Sequence, residues 1–296
     1  MPTQPKPSIR DWIAGARPRT LPAAVVPVAV GAGAAIGTDS ADVVWWRILV
    51  ALVVSLLLQI GVNYANDYSD GVRGTDDVRV GPMRLVASGT ASASAVKRAA
   101  LCCLGLAAVA GLALAVATTW WLLVVGAAAI VAAWGYTGGP KPYGYLGLGA
   151  LFVFTFFGLV ATAGTTYVAI EDVPWVTWPA ACGVGFLACA LLVVNNLRDI
   201  PTDTASGKRT LAVRIGDGAT RVLYVALVLG AVALTIVCAI DRPWSLLAIA
   251  SLAVAATPIK RVLAGASGRD LIAVLGATGR VQLVYGALLT LGLALG

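Results

Sequence analysis

The chain has 296 residues, of which 59% are hydrophobic and only 12% are charged, and its mean hydropathy is +0.88. These values lie far outside the range of soluble domains and predict a protein that crosses a membrane many times. Histidine is absent, which excludes imidazole general bases, histidine-ligated haem and histidine-containing zinc sites. The five cysteines lie in apolar runs without a CxxC pair, so no disulfide framework or cysteine metal site is expected.

Nine apolar runs follow one another along the chain. Each is about as long as a helix that spans a bilayer, ~20 residues, whereas barrel strands are shorter and alternate in polarity. The sequence therefore predicts an all-α polytopic membrane protein with nine transmembrane helices, forming a single domain over residues 1–296. The expected spans are residues 20–37, 45–65, 99–117, 118–135, 147–169, 175–197, 219–240, 243–259 and 271–296.

The basic residues indicate the orientation of this bundle. With nine spans in order, 19 of the 21 Lys and Arg residues fall on the side of the N-terminus. The positive-inside rule places that side in the cytoplasm of a bacterial-type inner membrane and the C-terminus outside. Topology thus explains the net charge of +7, and no nucleic-acid partner is expected. Residues 1–19 are expected to form a cytoplasmic segment, with an interfacial helix over residues 8–18.

Two segments on the expected cytoplasmic side are rich in carboxylates. The first acidic motif, NYANDYSDGVRGTDD (residues 63–77), follows the second run, and the second acidic motif, NNLRDIPTDTASGKRT (residues 195–210), follows the sixth. Within each motif, carboxylates three or four residues apart would share one face of a helical continuation. The candidate metal ligands are Asn66, Asp67, Asp70, Asp76, Asp199 and Asp203.

Clustered carboxylates of this kind predict a cationic partner. Like charges at neighbouring helical positions repel, and anions at a helix C-terminus oppose its dipole. Oxygen ligands without histidine or cysteine favour Mg²⁺ or Ca²⁺, and Mg²⁺ characteristically bridges carboxylates to phosphates. Nearby basic residues, including Arg84 and Lys208, could hold further phosphate oxygens. The sequence therefore predicts a metal-diphosphate site, with two solvated loops as the alternative.

The two acidic motifs also look like an internal repeat. Asn66, Asp70 and Gly74 align at four-residue spacing with Asn195, Asp199 and Asp203. Four spans separate the motifs, so a parallel duplication would place them face to face.

The combination of NDYSDGVRGTDD with NNLRDIPTDTASGKRT resembles the UbiA superfamily of intramembrane prenyltransferases. Four further segments, ARPRTLPAAVVPV, GPMR, YTGGPKPYGYLGLG and FVFTFFGLVATAGT, are similar to its naphthoate branch, and the resemblance covers about residues 12–216. It implies a nine-helix bundle around a cavity that opens to the cytoplasm and to lipid. The implied reaction is Mg²⁺-dependent transfer of a polyprenyl group from polyprenyl diphosphate to 1,4-dihydroxy-2-naphthoate, with loss of CO₂ and diphosphate.

The resemblance also implies roles for individual residues. Asn66, Asp67, Asp70, Asp199 and Asp203 match the metal-binding motifs, and Asp76 is expected to replace the third aspartate that many members carry where this chain has Gly74. Lys141 and Tyr143 match positions that contact the diphosphate, and Asn66, Arg84 and Lys208 are further candidates. Arg17 matches an Arg-Pro motif, for which we expect a role in binding the aromatic acceptor. The residues expected to be essential for catalysis are Asp70, Asp199, Lys141 and Arg17.

One departure and several alternatives remain open at this point. The residue after Leu-Gly-Leu-Gly is commonly acidic in the naphthoate branch, whereas this chain has Ala150. Other acceptors in the superfamily are 4-hydroxybenzoate, haem, chlorophyllide and phosphoribose. A transporter is the alternative from another class, but its substrate site should lie near the midplane, and the charged residues here, apart from Arg280, cluster at cytoplasmic span ends.

Overall fold

A computed structural model describes residues 7–38, 42–74 and 83–296. Within these ranges every regular element is helical, which confirms the all-α prediction. The helices are α1 (Ile9–Gly15), α2 (Pro22–Ile36), α3 (Trp45–Arg73), α4 (Ala93–Ala117), α5 (Trp121–Gly135), α6 (Gly149–Ile170), α7 (Thr177–Ala205), α8 (Leu211–Cys238), α9 (Pro243–Leu263) and α10 (Asp270–Ala294).

The described chain has fewer helices of membrane-spanning length than the nine that the hydropathy pattern predicts. Seven helices of the described residues, α3, α4 and α6 to α10, are long and apolar enough to cross a membrane. An eighth span results if the segment Ile9–Thr20 and α2, which meet at a bend of 53°, form one broken crossing. Helix α5 is apolar but has 15 residues, which gives about 22 Å against a hydrocarbon core of ~30 Å. A multi-pass membrane protein is confirmed, whereas the count of nine is not.

The helix predicted over residues 8–18 is present as α1 but is shorter. A capping box starts it: the Ser8 hydroxyl accepts a hydrogen bond from the amide of Asp11, whose carboxylate accepts one from the amide of Ser8. The chain then turns at Arg17, which adopts a left-handed conformation with φ 53° and ψ 70°. The proline at position 18 disfavours a helical conformation at Arg17, so the helix ends before it. This turn separates α1 from α2.

Both acidic motifs lie largely inside helices. Helices α3 and α7 have 29 residues each and continue to Arg73 and Ala205, beyond the expected span ends at residues 65 and 197. Helices of this length extend about 44 Å and therefore project past the hydrocarbon core. Gly74 ends α3 with φ 70°, a conformation that glycine adopts without steric cost. The helical continuation considered for each carboxylate pair is therefore present, and the alternative of two loops does not hold for most of either motif.

Helix α7 forms the centre of the bundle. In its most apolar stretch of 18 residues, 78% of the residues are buried, against 28–56% in the corresponding stretches of the other six long helices. It packs against α8, α10 and the middle of α6, while α3 packs against α4, and α2 packs against α10 and α6. The middle of α6, Phe154–Val160, is π-helical, and it carries Gly158 to a close crossing with Gly185 of α7.

This crossing predicts a sharp sensitivity to side-chain size. A Cβ atom on Gly158 would lie 2.6 Å from the Cα of Gly185 and 3.0 Å from the carbonyl oxygen of Ala181. Both contacts are with backbone atoms, so we expect Gly158→Ala to lower the free energy of unfolding by about 1–3 kcal/mol, measured as a lower Tm in detergent. Gly105→Ala in α4 is the control, because its methyl group would meet no atom within 4 Å. Equal Tm values for the two variants would contradict the prediction.

Candidate active site

A cavity of about 330 Å³ lies between the helices and is lined chiefly by α3 to α7. Its polar end holds Asp70 of α3 and Asp199 of α7, and the remainder is mostly apolar, including Leu122 and Val125 of α5. Ala51 and Asp70 both line it, which makes it about 28 Å long along the axis of α3. The cavity therefore has room for a long apolar chain attached to a polar head.

Asp70 lies at the centre of the polar end. Its Oδ1 accepts a hydrogen bond of 2.7 Å from the Tyr145 hydroxyl and lies 3.1 Å from Nζ of Lys208. A guanidinium nitrogen of Arg84 lies 4.0 Å from Oδ2. The Lys208 ammonium also lies 4.7 Å from the centroid of the Tyr145 ring. Two cations thus surround one carboxylate in a buried position, where a phosphate could compete for them.

The second acidic motif reaches the same cavity from α7. Asp199 accepts two hydrogen bonds from the Arg198 guanidinium, of 2.7 and 2.8 Å, and both side chains are buried. Asp203 lies one turn further on, and one of its oxygens is 3.5 Å from the Thr210 hydroxyl. Asn195 also lines the cavity. The two motifs therefore face a common space.

Asp67 and Asp70 of the first motif face different surroundings. Asp67 is fully buried, and its carboxylate accepts hydrogen bonds from the amides of Leu85 and Val86 at 2.8 and 3.0 Å. It does not line the cavity, and in this position it attaches the segment that carries Arg84 to α3. The structure thus brings Asp70 but not Asp67 to the cavity, and Asp67 as a metal ligand stays a prediction.

The set of possible metal ligands is incomplete within the described chain. Asp76 lies outside the described residues. Among residues 7–38, 42–74 and 83–296, no three carboxylate or thiol side chains lie close enough to hold a metal ion. Asn66 adds an amide oxygen at the cavity, and this oxygen accepts a hydrogen bond of 2.7 Å from the Thr137 hydroxyl. The described side chains thus provide only part of a set of metal ligands.

Lys141 and Tyr143 differ in their access to the cavity. Tyr143 lines the cavity, where its hydroxyl donates to the carbonyl of Ala132 at 2.8 Å and its ring stacks on Phe152. Burial raises the pKa of the Tyr143 hydroxyl, which keeps it protonated. Lys141 is exposed and lines only an adjoining outer groove, of which Tyr143 forms the boundary with the cavity. Ala150 lines neither space, and its carbonyl accepts a hydrogen bond from the Cys189 thiol.

Three residues of the polar end were not among the sequence candidates. Tyr145 contacts Asp70, Thr137 contacts Asn66, and Arg198 pairs with Asp199. The motif YGYLG places Tyr145 next to a candidate, and Arg198 precedes a motif aspartate, so both were within reach of sequence reasoning. In the sequence, Arg198 is only one of the 19 basic residues on the side of the N-terminus, and Thr137 carries no signal.

A second polar group lies further along the cavity. We refer to Arg17, Thr20, Gln59 and Asn63, all of which line the cavity, as the amide cluster. A guanidinium nitrogen of Arg17 lies 3.4 Å from the backbone carbonyl oxygen of Asn63. Asn63 precedes Asn66 on α3 by about one turn, so the amide cluster adjoins the polar end of the cavity.

Comparison with known proteins agrees with this architecture. The UbiA prenyltransferase family matches residues 24–294. The chain is 50% identical over 289 residues to a 1,4-dihydroxy-2-naphthoate octaprenyltransferase of Mycobacterium tuberculosis, with 98% of each chain covered. It is 38% identical to the enzyme of the same name from Escherichia coli over 235 residues, which cover 74% of this chain and 73% of that one.

Two solved structures share the fold at low sequence identity. A UbiA homologue from Aeropyrum pernix has a TM-score of 0.71 at 16% identity, with 91% of this chain and 97% of that chain covered. A UbiA homologue from Archaeoglobus fulgidus, solved with GPP and Mg²⁺, has a TM-score of 0.63 at 16% identity, with 94% and 99% covered. The fold, the extent of the family match and the two enzymes above agree, and the chain belongs to the UbiA prenyltransferase family.

Proposed function

We propose that this prenyltransferase moves a polyprenyl group from polyprenyl diphosphate to 1,4-dihydroxy-2-naphthoate, releasing diphosphate and CO₂ and giving the demethylmenaquinol of menaquinone synthesis. The observation that carries the proposal is a single cavity that joins a cluster of carboxylates and cations to a long apolar interior. Such a space matches a lipid donor with a charged head. The names of the relatives from M. tuberculosis and E. coli support the naphthoate as acceptor.

The oxygen ligands at the polar end fit Mg²⁺. Asn66, Asp70, Asp199 and Asp203 all line the cavity, and they provide hard oxygen ligands, which Mg²⁺ prefers together with phosphate oxygens. We propose that they hold the ion with the diphosphate, and the A. fulgidus homologue solved with GPP and Mg²⁺ supports this assignment. When bound, Mg²⁺ would neutralise negative charge on the leaving diphosphate.

The basic residues at the polar end would hold the leaving group. Lys208 and Arg84 lie beside Asp70, within reach of a phosphate that lies next to this carboxylate. As the allylic C–O bond breaks, its electron pair leaves with the diphosphate, and fixed cations at buried positions stabilise that charge. Tyr145 keeps Asp70 in place through its hydrogen bond. Lys141 as a further diphosphate contact stays a prediction.

The acceptor needs little help from a base. The electron-rich naphthoate ring attacks the allylic carbon through the ring carbon that bears the carboxyl, and the new C–C bond forms there. Loss of the ring carboxyl as CO₂ returns its bonding electrons to the ring and restores aromaticity, so no strong general base is required. This agrees with a chain that contains no histidine. We assign acceptor binding to the amide cluster, with Arg17 as the cation that meets the acceptor carboxylate.

We also propose the orientation of the bundle. The 53° broken pair and the short helix α5 would each complete a crossing, which together with seven long helices gives nine. The N-terminus and the polar end of the cavity would then face the cytoplasm and the C-terminus the outside. The distribution of 19 of the 21 basic residues supports this assignment. A water-soluble acceptor and a membrane-dissolved donor would meet at the cytoplasmic surface.

One experiment separates these possibilities. Purified protein with Mg²⁺ is incubated with polyprenyl diphosphates of several lengths and with several aromatic acids, and the products are identified by mass. We expect prenylated 1,4-dihydroxynaphthalene, which is demethylmenaquinol, together with CO₂ and free diphosphate. Transfer to 4-hydroxybenzoate instead would refute the acceptor, and uptake of a solute without any prenylated product would indicate a transporter.

The cavity aspartates should be essential for turnover. We expect Asp70→Ala and Asp199→Ala each to lower kcat/KM by about 10- to 100-fold or more, since a lost metal ligand or its support has effects of this size. Asp217→Ala is the control, because Asp217 is exposed and pairs with Arg221 on α8. Normal activity in both cavity variants would contradict the two-motif site.

The two lysines should differ in their effect on the donor. Lys208 lines the cavity, whereas Lys141 lies in the outer groove. A hydrogen bond to a charged group contributes about 1.5–3 kcal/mol, so we expect Lys208→Met to raise the KM for the diphosphate donor by about 10-fold or more. Lys141→Met should have a smaller effect on the same constant. A larger effect at Lys141 would mean that the donor head approaches from the groove.

A further inference from the structure

We propose that Arg17 and Gln59 form a two-point subsite for the aromatic acceptor, in which Arg17 binds the ring carboxylate and the side-chain oxygen of Gln59 accepts a hydrogen bond from the hydroxyl at ring carbon 4. This inference rests on the proposed function and adds a specificity-determining residue to it. Both side chains line the cavity, and Gln59 is 7% exposed.

Arg17 provides a positive charge that no carboxylate of the described residues neutralises in an ion pair. Its guanidinium donates to the backbone carbonyl oxygen of Asn63 at 3.4 Å. Its backbone is in the left-handed region, which is costly for a residue other than glycine. A half-buried guanidinium held in this way beside an apolar cavity favours an anionic ligand with two oxygens, such as a carboxylate.

Hydrogen bonds fix the orientation of the Gln59 amide. Asn63 donates from Nδ2 to the carbonyl of Ala16 at 2.8 Å and to the Thr20 hydroxyl at 3.1 Å, so its Oδ1 faces Gln59. Thr20 uses its single proton on the carbonyl of Arg17 and can therefore only accept from its other neighbours. Gln59 must present its NH₂ group to both partners, at 3.1 and 3.4 Å.

The consequence is a side-chain oxygen directed away from the network. With Nε2 of Gln59 committed to Thr20 and Asn63, its Oε1 accepts no hydrogen bond from the described residues. An amide oxygen without a partner in an apolar space is costly, and a ligand hydroxyl would satisfy it. A ligand without that hydroxyl would leave the oxygen unpaired, which makes the position selective.

The order of polar residues along α3 agrees with the shape of the acceptor. Gln59, Asn63, Asn66 and Asp70 all line the cavity. Measured from Gln59 along the axis of α3, Asn63 lies at about 6 Å, Asn66 at about 10 Å and Asp70 at about 16 Å. Arg17 meets Asn63 and so lies between Gln59 and the diphosphate end. The carboxyl-bearing side of the ring would thus face the allylic carbon, and the hydroxyl at carbon 4 would point into the cavity.

A binding experiment without donor or Mg²⁺ tests the subsite. The probes are 1,4-dihydroxy-2-naphthoate and 1-hydroxy-2-naphthoate, which lacks the hydroxyl at carbon 4, and binding is followed by naphthoate fluorescence. The variant is Gln59→Met, which keeps the side-chain volume and removes the amide. Gln282→Met is the matched control, because Gln282 is fully buried in α10, does not line the cavity, and has both amide atoms unpartnered among the described residues.

We expect wild-type protein and the Gln282→Met control to bind the dihydroxy compound at least about 10-fold more tightly than the monohydroxy compound. Gln59→Met should lose this preference while its affinity for the monohydroxy compound changes little, and Arg17→Gln should weaken both probes. Equal binding of the two probes by wild-type protein would overturn the proposal even if the variant does not fold. An equal loss for both probes in Gln59→Met would also overturn it. Turnover of wild-type protein tests the proposed function separately.

Discussion

The site depends on the requirement that a buried carboxylate be neutralised. Asp70 is 3% exposed, and a charge in that position is stable only with well-placed partners. Tyr145, Lys208 and Arg84 meet it, and each comes from a different connection: between α5 and α6, between α7 and α8, and between α3 and α4. Three loops thus meet at the same end of the bundle through contacts with one side chain.

Neighbouring contacts extend this arrangement. The amide of Arg209 donates to the carbonyl of Tyr145 at 3.0 Å, and the amide of Lys208 donates to the carbonyl of Asp203 at 2.8 Å. The backbone therefore holds Lys208 between the two acidic motifs. On α3, Asp67 plays the corresponding part by fixing the segment that carries Arg84. In each case a backbone amide of the loop donates the hydrogen bond that positions it, and the charged side chains of Lys208 and Arg84 face the cavity.

The sequence predicted the helical class, the multi-pass character and the two motifs because hydropathy and residue type are local properties. It did not predict where α3 and α7 end, since helical hydrogen bonding continues past the last apolar residue. Spacing alone also could not separate Asp67 from Asp70: positions three apart share a face, but only the fold brings the amides of Leu85 and Val86 to one of them. Likewise, the sequence does not distinguish Lys141 from Lys208 as a diphosphate ligand, because only the paths of the connections between helices bring Lys208 to the cavity.

Helix α5 has a consequence for the surrounding lipid. With 15 residues it is about 7 Å shorter than a typical hydrocarbon core. Such hydrophobic mismatch is relieved by local thinning of the bilayer or by anchoring of flanking aromatic residues. Trp120 and Trp121 are exposed at its start, where indole rings favour the headgroup level. If α5 crosses the bilayer, as proposed above, the membrane would be locally thinner beside the wall of the cavity, which shortens the distance that a lipid headgroup must travel to reach it.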